Sequence, residues 1–296
     1  MDDVSFQLAP RETLALVGES GCGKSITALS VMGLVPRPQG RIAAGRIVLD
    51  GTELTALREP ALEKLRGARV AMIFQEPMTS LNPVMTIGAQ VAESLTVHRG
   101  LSRRDAEAKA LAVLEEVKIP SPARRFHEYP HQFSGGMRQR VMIAMAIACA
   151  PSVLLADEPT TALDVTIQAQ VLGLLADLRH AHGMAMLFIT HNLGVVAQIA
   201  DRVAVMYAGQ IVETGPVEAI FAAPAHPYTR ALFAAIPRLD VPDQALSAIP
   251  GRVPPLDAMP GGCRFAPRCQ LAQAGCDQPQ VLRPIAETHT VRCWQA

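Results

Sequence analysis

The chain has 296 residues, and 27 Lys and Arg balance 27 Asp and Glu, so its formal net charge is zero. That length holds one large α/β domain and a smaller appendage, and the even balance argues against a nucleic-acid binder, whose phosphate contacts need a basic face. Hydrophobic residues make up 49% of the chain, yet its most apolar stretch, Val141 to Ala156, is divided at Pro151-Ser152, and neither piece approaches the roughly 20 residues of a membrane-spanning helix. Met1 is followed by Asp2-Asp3 and no long apolar core, so no signal peptide is expected.

In chain order, Val4, Phe6 and Leu8 alternate with Ser5 and Gln7, which predicts a half-buried strand. Thr13 to Val17 is an apolar run suited to a buried strand. It leads into Gly18-Glu19-Ser20-Gly21-Cys22-Gly23-Lys24-Ser25, which reads G-x-x-x-x-G-K-S. Glycines let such a loop fold around a polyphosphate with its N–H groups inward. Lys24 reaches the outer phosphates, Ser25 can take a place on Mg²⁺, and a helix from Lys24 to Met32 turns its N-terminal dipole toward the anion. A second strand, Arg46 to Leu49, ends at the turn Asp50-Gly51, and a third runs from Arg69 to Gln75.

Thr86 to Val97 and Ser102 to Val117 carry helical periodicity, with Ser102 and Asp105 in a capping pattern. Pro120, Pro122 and Pro130 then interrupt. Ser134-Gly135-Gly136 opens a further helix, from about Met137 to Cys149, as a second anion-binding helix start. Val153 to Glu158 places two carboxylates at the carboxyl end of a buried strand, where α/β sheets bind ligands. There Asp157 can hold Mg²⁺ and Glu158 can polarise an attacking water. Helix and strand then alternate through Thr166–Ala181, Ala185–Thr190, Leu193–Ala200 and Val203–Tyr207. The pattern predicts an α/β fold with a mainly parallel sheet covered on both faces and a helical lobe at about 76–150. From Pro237 to Gly262, six prolines and three glycines mark an irregular connector.

Cys22 and Cys149 lie within the main domain and read as free thiols of a reducing compartment. Cys263, Cys269, Cys276 and Cys293 cluster in the tail, with five, six and sixteen residues between them. Four clustered cysteines suggest metal. The spacing matches neither the usual zinc pair nor a ferredoxin pattern, which leaves a cluster, a zinc site or unliganded thiols open.

Over roughly residues 4–235 the order of these motifs resembles the ATP-binding subunit of an ABC transporter. Gly18 to Ser25 resembles the Walker A motif and Val153 to Glu158 the Walker B motif with its catalytic glutamate. Ser134-Gly135-Gly136 stands in the place of LSGGQ, with Phe133 and Met137 replacing its Leu and Gln. Gln75 matches the Q-loop glutamine, Ala162-Leu163-Asp164 the D-loop and His191 the switch histidine.

The resemblance implies a P-loop NTPase: an ABC nucleotide-binding domain over 1–236, with a helical subdomain and a small irregular cysteine-bearing extension over 237–296. It implies ATP bound with Mg²⁺ on Ser25, Gln75 and Asp157, and hydrolysis by Glu158, Gln75 and His191. Two cassettes would face head to tail, with the Walker A of one against the Ser-Gly-Gly of the other and Asp164 coupling the two sites. Such cassettes start with a further strand and an aromatic residue that stacks on adenine. Here only 17 residues precede Gly18, with Phe6 their sole aromatic, so the start is expected to be late or adenine to be held by other groups.

Phe74 to Pro83, His226-Pro227-Tyr228-Thr229 and the cysteine tail resemble the oligopeptide/dipeptide-type importers, whose members take up dipeptides, oligopeptides, nickel complexes or glutathione. The resemblance implies a second ATPase subunit, two transmembrane permease subunits and an extracytoplasmic substrate-binding protein as partners, with no nucleic acid. It also implies a peripheral position on the cytoplasmic face of the membrane. Among the tail readings it favours a [4Fe–4S] cluster on the four cysteines over zinc. The competing class, a soluble ABC-type ATPase of DNA repair or translation, expects a coiled-coil insertion or tandem cassettes and a basic surface. The sequence has one cassette, no heptad stretch and no net charge.

Overall fold

The apolar run at the start of the chain forms β1 (Thr13–Val17), all five residues buried. The computed structural model describes residues 1–161, 163–235 and 249–296. Ala162 of the expected D-loop and residues 236–248 of the connector lie outside the described residues, as do the side chains of Pro77 and Met78. After β1 come α1 (Lys24–Val31), the short strands β2 (Val48–Leu49) and β3 (Thr52–Glu53), α2 (Glu59–Leu65) and β4 (Val70–Ile73). Five helices follow: α3 (Pro77–Ser80), α4 (Ile87–Arg99), α5 (Arg103–Glu116), α6 (Pro122–Arg125) and α7 (Gly135–Ile147). Strands and helices then alternate through β5 (Val153–Asp157), α8 (Val165–His182), β6 (Ala185–Thr190), α9 (Leu193–Ile199) and β7 (Arg202–Tyr207). The chain ends through β8 (Gln210–Pro216), α10 (Val217–Ala222), α11 (Pro227–Ala234), β9 (Arg283–Ala286) and β10 (His289–Val291).

These elements divide into two compact units. One comprises Met1–Leu8, Glu12–Thr27 and Phe188–Ala296, the other Ala9–Arg11 and Ala28–Leu187. The chain passes between them on either side of Ala9–Arg11, within α1 and within β6.

In the first unit, β1 pairs in parallel with β7, and β7 pairs antiparallel with β8. β10 lies antiparallel on β8, with Thr290 opposite Thr214, and β9 lies antiparallel on β10. The predicted strands β1 and β7 therefore run parallel as expected, while the pairing beyond β7 is antiparallel, a reversal the sequence pattern does not announce. The reason is the turn at Ala208-Gly209, where both residues are left-handed, φ 45° and 81°. That is the geometry of a two-residue hairpin loop, but it lacks the Asn-Gly or Asp-Gly signature that announces one. Val203, Val205 and Tyr207 of β7 pack with Ala15, Val17, Leu193 and Val196 into one apolar core.

The expected strand at Val4 to Leu8 is not formed. Val4, Phe6 and Leu8 are half-buried and Ser5 and Gln7 exposed, as the alternation predicts. Among the described residues, though, no strand pairs with this segment, and an extended chain without a ladder is not a strand.

In the second unit, β4 and β5 run parallel, with Ile73 opposite Ala156, so the segments after both strands leave from the same end of the pair. The helices between them, α3 to α7, belong to the same unit. α4 begins after Thr86 and buries Ile87, Val91 and Leu95. α5 is capped by Ser102, which accepts the Asp105 N–H at 3.2 Å while its hydroxyl donates to the Asp105 carboxylate. The Asp50-Gly51 turn joins β2 to β3 as a hairpin, with Leu49 opposite Thr52.

Candidate nucleotide site

The glycine-rich loop follows β1 directly. Gly18 has φ +152°, and a Cβ there would lie 2.1 Å from the Met206 carbonyl oxygen in β7. Only glycine lets the loop leave the strand so close to its neighbour. Lys24, at the first position of α1, is 5% exposed. Its ammonium donates to the Gly18 carbonyl at 2.8 Å and the Glu19 carbonyl at 3.1 Å. The cation is thus held over the loop by the loop's own backbone, with the α1 dipole behind it. Thr27 braces the turn by donating to the Gly23 carbonyl at 3.0 Å. Burial pushes the Cys22 thiol up, against the nearby Lys24 ammonium, so Cys22 is a buried, unreactive filler rather than a nucleophile.

Behind this loop, in the same unit, stands a support that the sequence does not announce. Tyr228, fully buried in α11, accepts the Glu19 N–H at 2.9 Å through its hydroxyl. Tyr207, Tyr228 and Phe265 form an aromatic cluster, with ring centres 4.6, 5.2 and 5.4 Å apart. Arg268, from the tail, completes it. It donates two parallel hydrogen bonds to the Glu19 carboxylate, at 2.7 and 3.1 Å, and lies over the Tyr207 ring. The bonds to Glu19 hold Arg268 above the ordinary arginine range.

The motif His226-Pro227-Tyr228-Thr229 owes its form to this support. His226 caps α11 by accepting the Tyr228 N–H at 3.0 Å, and burial pushes its imidazole down to about 3. Glu213, fully buried in β8, accepts the N–H groups of Ala225 and His226 at 2.7 and 2.9 Å and meets His289 of β10 at 2.8 Å. One carboxylate thereby ties β8, the start of α11 and the tail together. A lone Glu in a strand gives no sequence signal for such a role.

In the second unit, the parallel pair β4 and β5 delivers Gln75 and Glu158 to one another. The Gln75 amide donates to Glu158 Oε2 at 3.1 Å, and the Thr161 hydroxyl donates to the same oxygen at 2.9 Å. Asp157, one residue earlier, is 4% exposed. Glu158 has φ 46°, a left-handed conformation that costs a non-glycine residue roughly 1 kcal/mol or more. The strain falls on the residue expected to polarise water.

Ser134 accepts the Met137 N–H at 3.4 Å and caps α7, and Asp164 accepts the Ile167 N–H at 2.9 Å and caps α8. The two glycines after Ser134 differ. A Cβ at Gly136 would lie 2.6 Å from Ile167 Cγ2, whereas one at Gly135 meets nothing nearer than 4.0 Å. Gly136 therefore permits the approach of α7 and α8, and Gly135 is exposed. His191, exposed, follows β6 and belongs to the first unit. Asn192, beside it, starts α9 by accepting the Gly194 N–H at 3.0 Å.

Cys263, Cys269, Cys276 and Cys293 line one small cavity with His226, Phe265 and Gln295. Burial pushes the Cys263 and Cys269 thiols up, and their neighbours Cys276 and Cys293 push the same way. Among the described residues, no group of three or more His, Cys, Asp or Glu side chains is arranged to hold a metal ion. Nor is any helix among them long and apolar enough to cross a membrane.

A glycine-rich loop that runs from a buried strand into a helix headed by Lys24 defines a P-loop nucleoside triphosphatase. Within that class the chain belongs to the ABC transporter family of ATPases, whose sequence pattern matches residues 1–161. The pattern described as the oligopeptide/dipeptide transporter C-terminal region matches residues 212–276.

A relative from Brucella abortus (strain 2308), which bears the name "Putative peptide import ATP-binding protein", is 53% identical over 100% of this chain and 91% of its own length. A second Brucella abortus protein of the same name is 52% identical over 99% of this chain and 88% of its own. Among solved structures, the dimeric post-hydrolysis state of the ATP-binding cassette MJ0796 with ADP and Pi is 27% identical. It superposes with a TM-score of 0.64 over 72% of this chain and 89% of that one. The chain cbiO1 from Clostridium perfringens, part of the ABC transporter complex cbiONQ, is 25% identical with a TM-score of 0.63, over 73% of this chain and 82% of that one.

Proposed function

We propose that this ATPase is the motor of an importer for dipeptides, oligopeptides or related small molecules. The observation that carries the reading is the match of residues 212–276 to the oligopeptide/dipeptide transporter C-terminal region. The similarity to peptide import ATP-binding proteins along the whole chain supports it. Partners of the kind it requires are a second cassette, two permease subunits and an extracytoplasmic binding protein. The motor then sits on the cytoplasmic face of the membrane.

In this reading the loop Gly18–Ser25 cradles the phosphates with its N–H groups, and Lys24 exchanges its bonds to the Gly18 and Glu19 carbonyls for the outer phosphate oxygens. Glu158, aligned by Gln75 and Thr161, accepts a proton from the attacking water. His191 contacts the γ-phosphate. Ser25, Gln75 and Asp157 would hold Mg²⁺ as in the family pattern, and the ion would supply charge neutralisation for the transferring group. Ser134 and Gly135 present a helix N-terminus to the nucleotide of the partner cassette, and Asp164 couples the two sites. Phosphoryl transfer needs this positioning and charge neutralisation more than covalent chemistry.

The tail cysteines hold a [4Fe–4S] cluster in the same reading. Four thiols lining one cavity would suit a Cys₄ cluster. Zinc on the same four thiols is the competing occupant.

The test of the transport reading is reconstitution in liposomes with the permease pair and binding protein of the same operon. ATP-dependent uptake of labelled di- to pentapeptides is expected, abolished by Lys24→Ala. ATP turnover without uptake of any peptide, nickel chelate or glutathione would refute it.

A further inference from the structure

The cysteine-bearing tail reaches into the phosphate-binding loop. Arg268 stands between Phe265, which packs on Tyr207 and Tyr228, and Cys269, which lines the four-cysteine cavity. Its side chain is only 4% exposed, and it is anchored from the tail side by the Pro250 carbonyl at 2.8 Å and the Ile249 carbonyl at 3.2 Å. From that base its guanidinium grips the Glu19 carboxylate with both arms, at 2.7 and 3.1 Å. Glu19 is the first variable residue of the glycine-rich loop, and its own carbonyl receives Lys24.

A carboxylate in that position is a liability. An anionic side chain on a loop that must cradle a triphosphate repels the ligand unless it is neutralised and held still. The paired, bidentate geometry of Arg268 does both at once. Tyr228 fixes the backbone of the same residue from the other side, so Glu19 is held at its main chain and at its side chain by residues outside the loop.

We propose that Arg268 is a positioning residue for nucleotide binding: by pairing with Glu19 it makes the affinity of the phosphate-binding loop depend on the folded state of the cysteine-bearing tail. The proposal rests on the reading that residues 18–25 bind the phosphates of ATP. It assigns the tail a task at the nucleotide, whatever the four cysteines hold.

The experiment is equilibrium binding of a ribose-labelled fluorescent ATP to the full chain, with circular dichroism and thermal melting run beside it. Arg268→Gln leaves Glu19 charged and unpaired next to the phosphates, and Kd is expected to rise about tenfold, the scale of one lost charged hydrogen bond. Arg268→Lys keeps the charge without the fork and is expected to fall between. The discriminating variant is the double change Glu19→Gln with Arg268→Gln. It removes the unpaired carboxylate and is expected to return Kd to within about threefold of the parent.

A role of Arg268 confined to the folding of the tail predicts the opposite: both Arg268→Gln chains bind equally weakly and melt early. That result would overturn the proposal, as would an unchanged Kd in Arg268→Gln. If Arg268→Gln does not fold, Arg268→Lys and the double variant decide between the same outcomes. Lys24→Ala separates the underlying reading. If it binds nucleotide as the parent does, the phosphate-loop assignment falls; if it loses binding while Arg268→Gln does not, only the proposal falls.

Discussion

Gln75 and Glu158, 83 residues apart in the chain, meet at 3.1 Å through a single amide-to-carboxylate hydrogen bond. The cause is strand order: β4 and β5 are parallel neighbours, with Ile73 opposite Ala156, so the residues that follow them leave from one end of the pair. Thr161 takes the same carboxylate oxygen, which fixes the direction in which Glu158 faces.

Glu158→Gln is expected to keep the Gln75 and Thr161 contacts in shape while removing the proton acceptor. Turnover in the assembled transporter should fall by about 10²- to 10⁴-fold, the usual scale for a general base, with nucleotide affinity retained. Steady-state ATPase assays beside equilibrium binding separate the two quantities. Turnover within a factor of about three of the parent would remove Glu158 from the role.

Gly136→Ala should destabilise the second unit by about 1–3 kcal/mol, because the new Cβ falls 2.6 Å from Ile167 Cγ2. Gly135→Ala, with open space above it, should cost less than half of that. Adding Ile167→Ala to Gly136→Ala should recover part of the loss, since it deletes the clashing methyl. Urea midpoints of the three variants test the series, and equal losses at the two glycines would contradict the packing account.

Acid should weaken the first unit through His226. Its folded value is pushed from 6.5 down to about 3, so the unfolded chain takes up a proton near pH 6.5 that the folded chain refuses until about pH 3. Stability from this group is complete above about pH 6.5 and is lost as the pH falls through that window, by at most about 1.4 kcal/mol per pH unit. His226→Asn, which keeps a cap for the Tyr228 N–H, should be less stable at pH 7.5 but flatter between pH 6.5 and 4.5. Denaturant midpoints at several pH values measure both slopes, and parallel slopes would exclude His226 as the source.

Protein purified without oxygen should be brown and carry about four irons per chain, the [4Fe–4S] stoichiometry. Cys269→Ser should bleach it and lower the melting temperature of the tail, with Lys24 still able to hold nucleotide. Metal analysis decides the matter: stoichiometric zinc would give a different site, and no metal at all would leave four free thiols.

How far the sequence can be read differs between the two kinds of residue in this protein. The glycine-rich loop, the Asp157-Glu158 pair and the Ser134 cap are local: each is a few residues whose spacing has a physical meaning on its own, and each falls on the element the periodicity predicts. Tyr228, Arg268 and Glu213 work across 209, 249 and 76 residues of chain. They are ordinary residue types in ordinary elements, so only the folded chain reveals what they hold. The missed strand β8 has the same origin, since nothing in Ala208-Gly209 looks like a hairpin loop until both φ values are seen. At Val4 to Leu8 the alternation correctly marks the half-buried face, but a strand also needs a neighbour, and alternation carries no information about neighbours.

The placement of β10 on β8 has a consequence for the chain in solution. β8 is buried along five of its seven residues and has β7 on one side only. Without the tail, its other side would present a row of unpaired amides flanked by Ile211 and Val212, a template for sticking to a second copy. The tail covers that row, and the exposed margin passes to β9, where Pro284 stands opposite Thr290 and has no N–H to offer. A chain cut before residue 249 would therefore be expected to form ladders with itself.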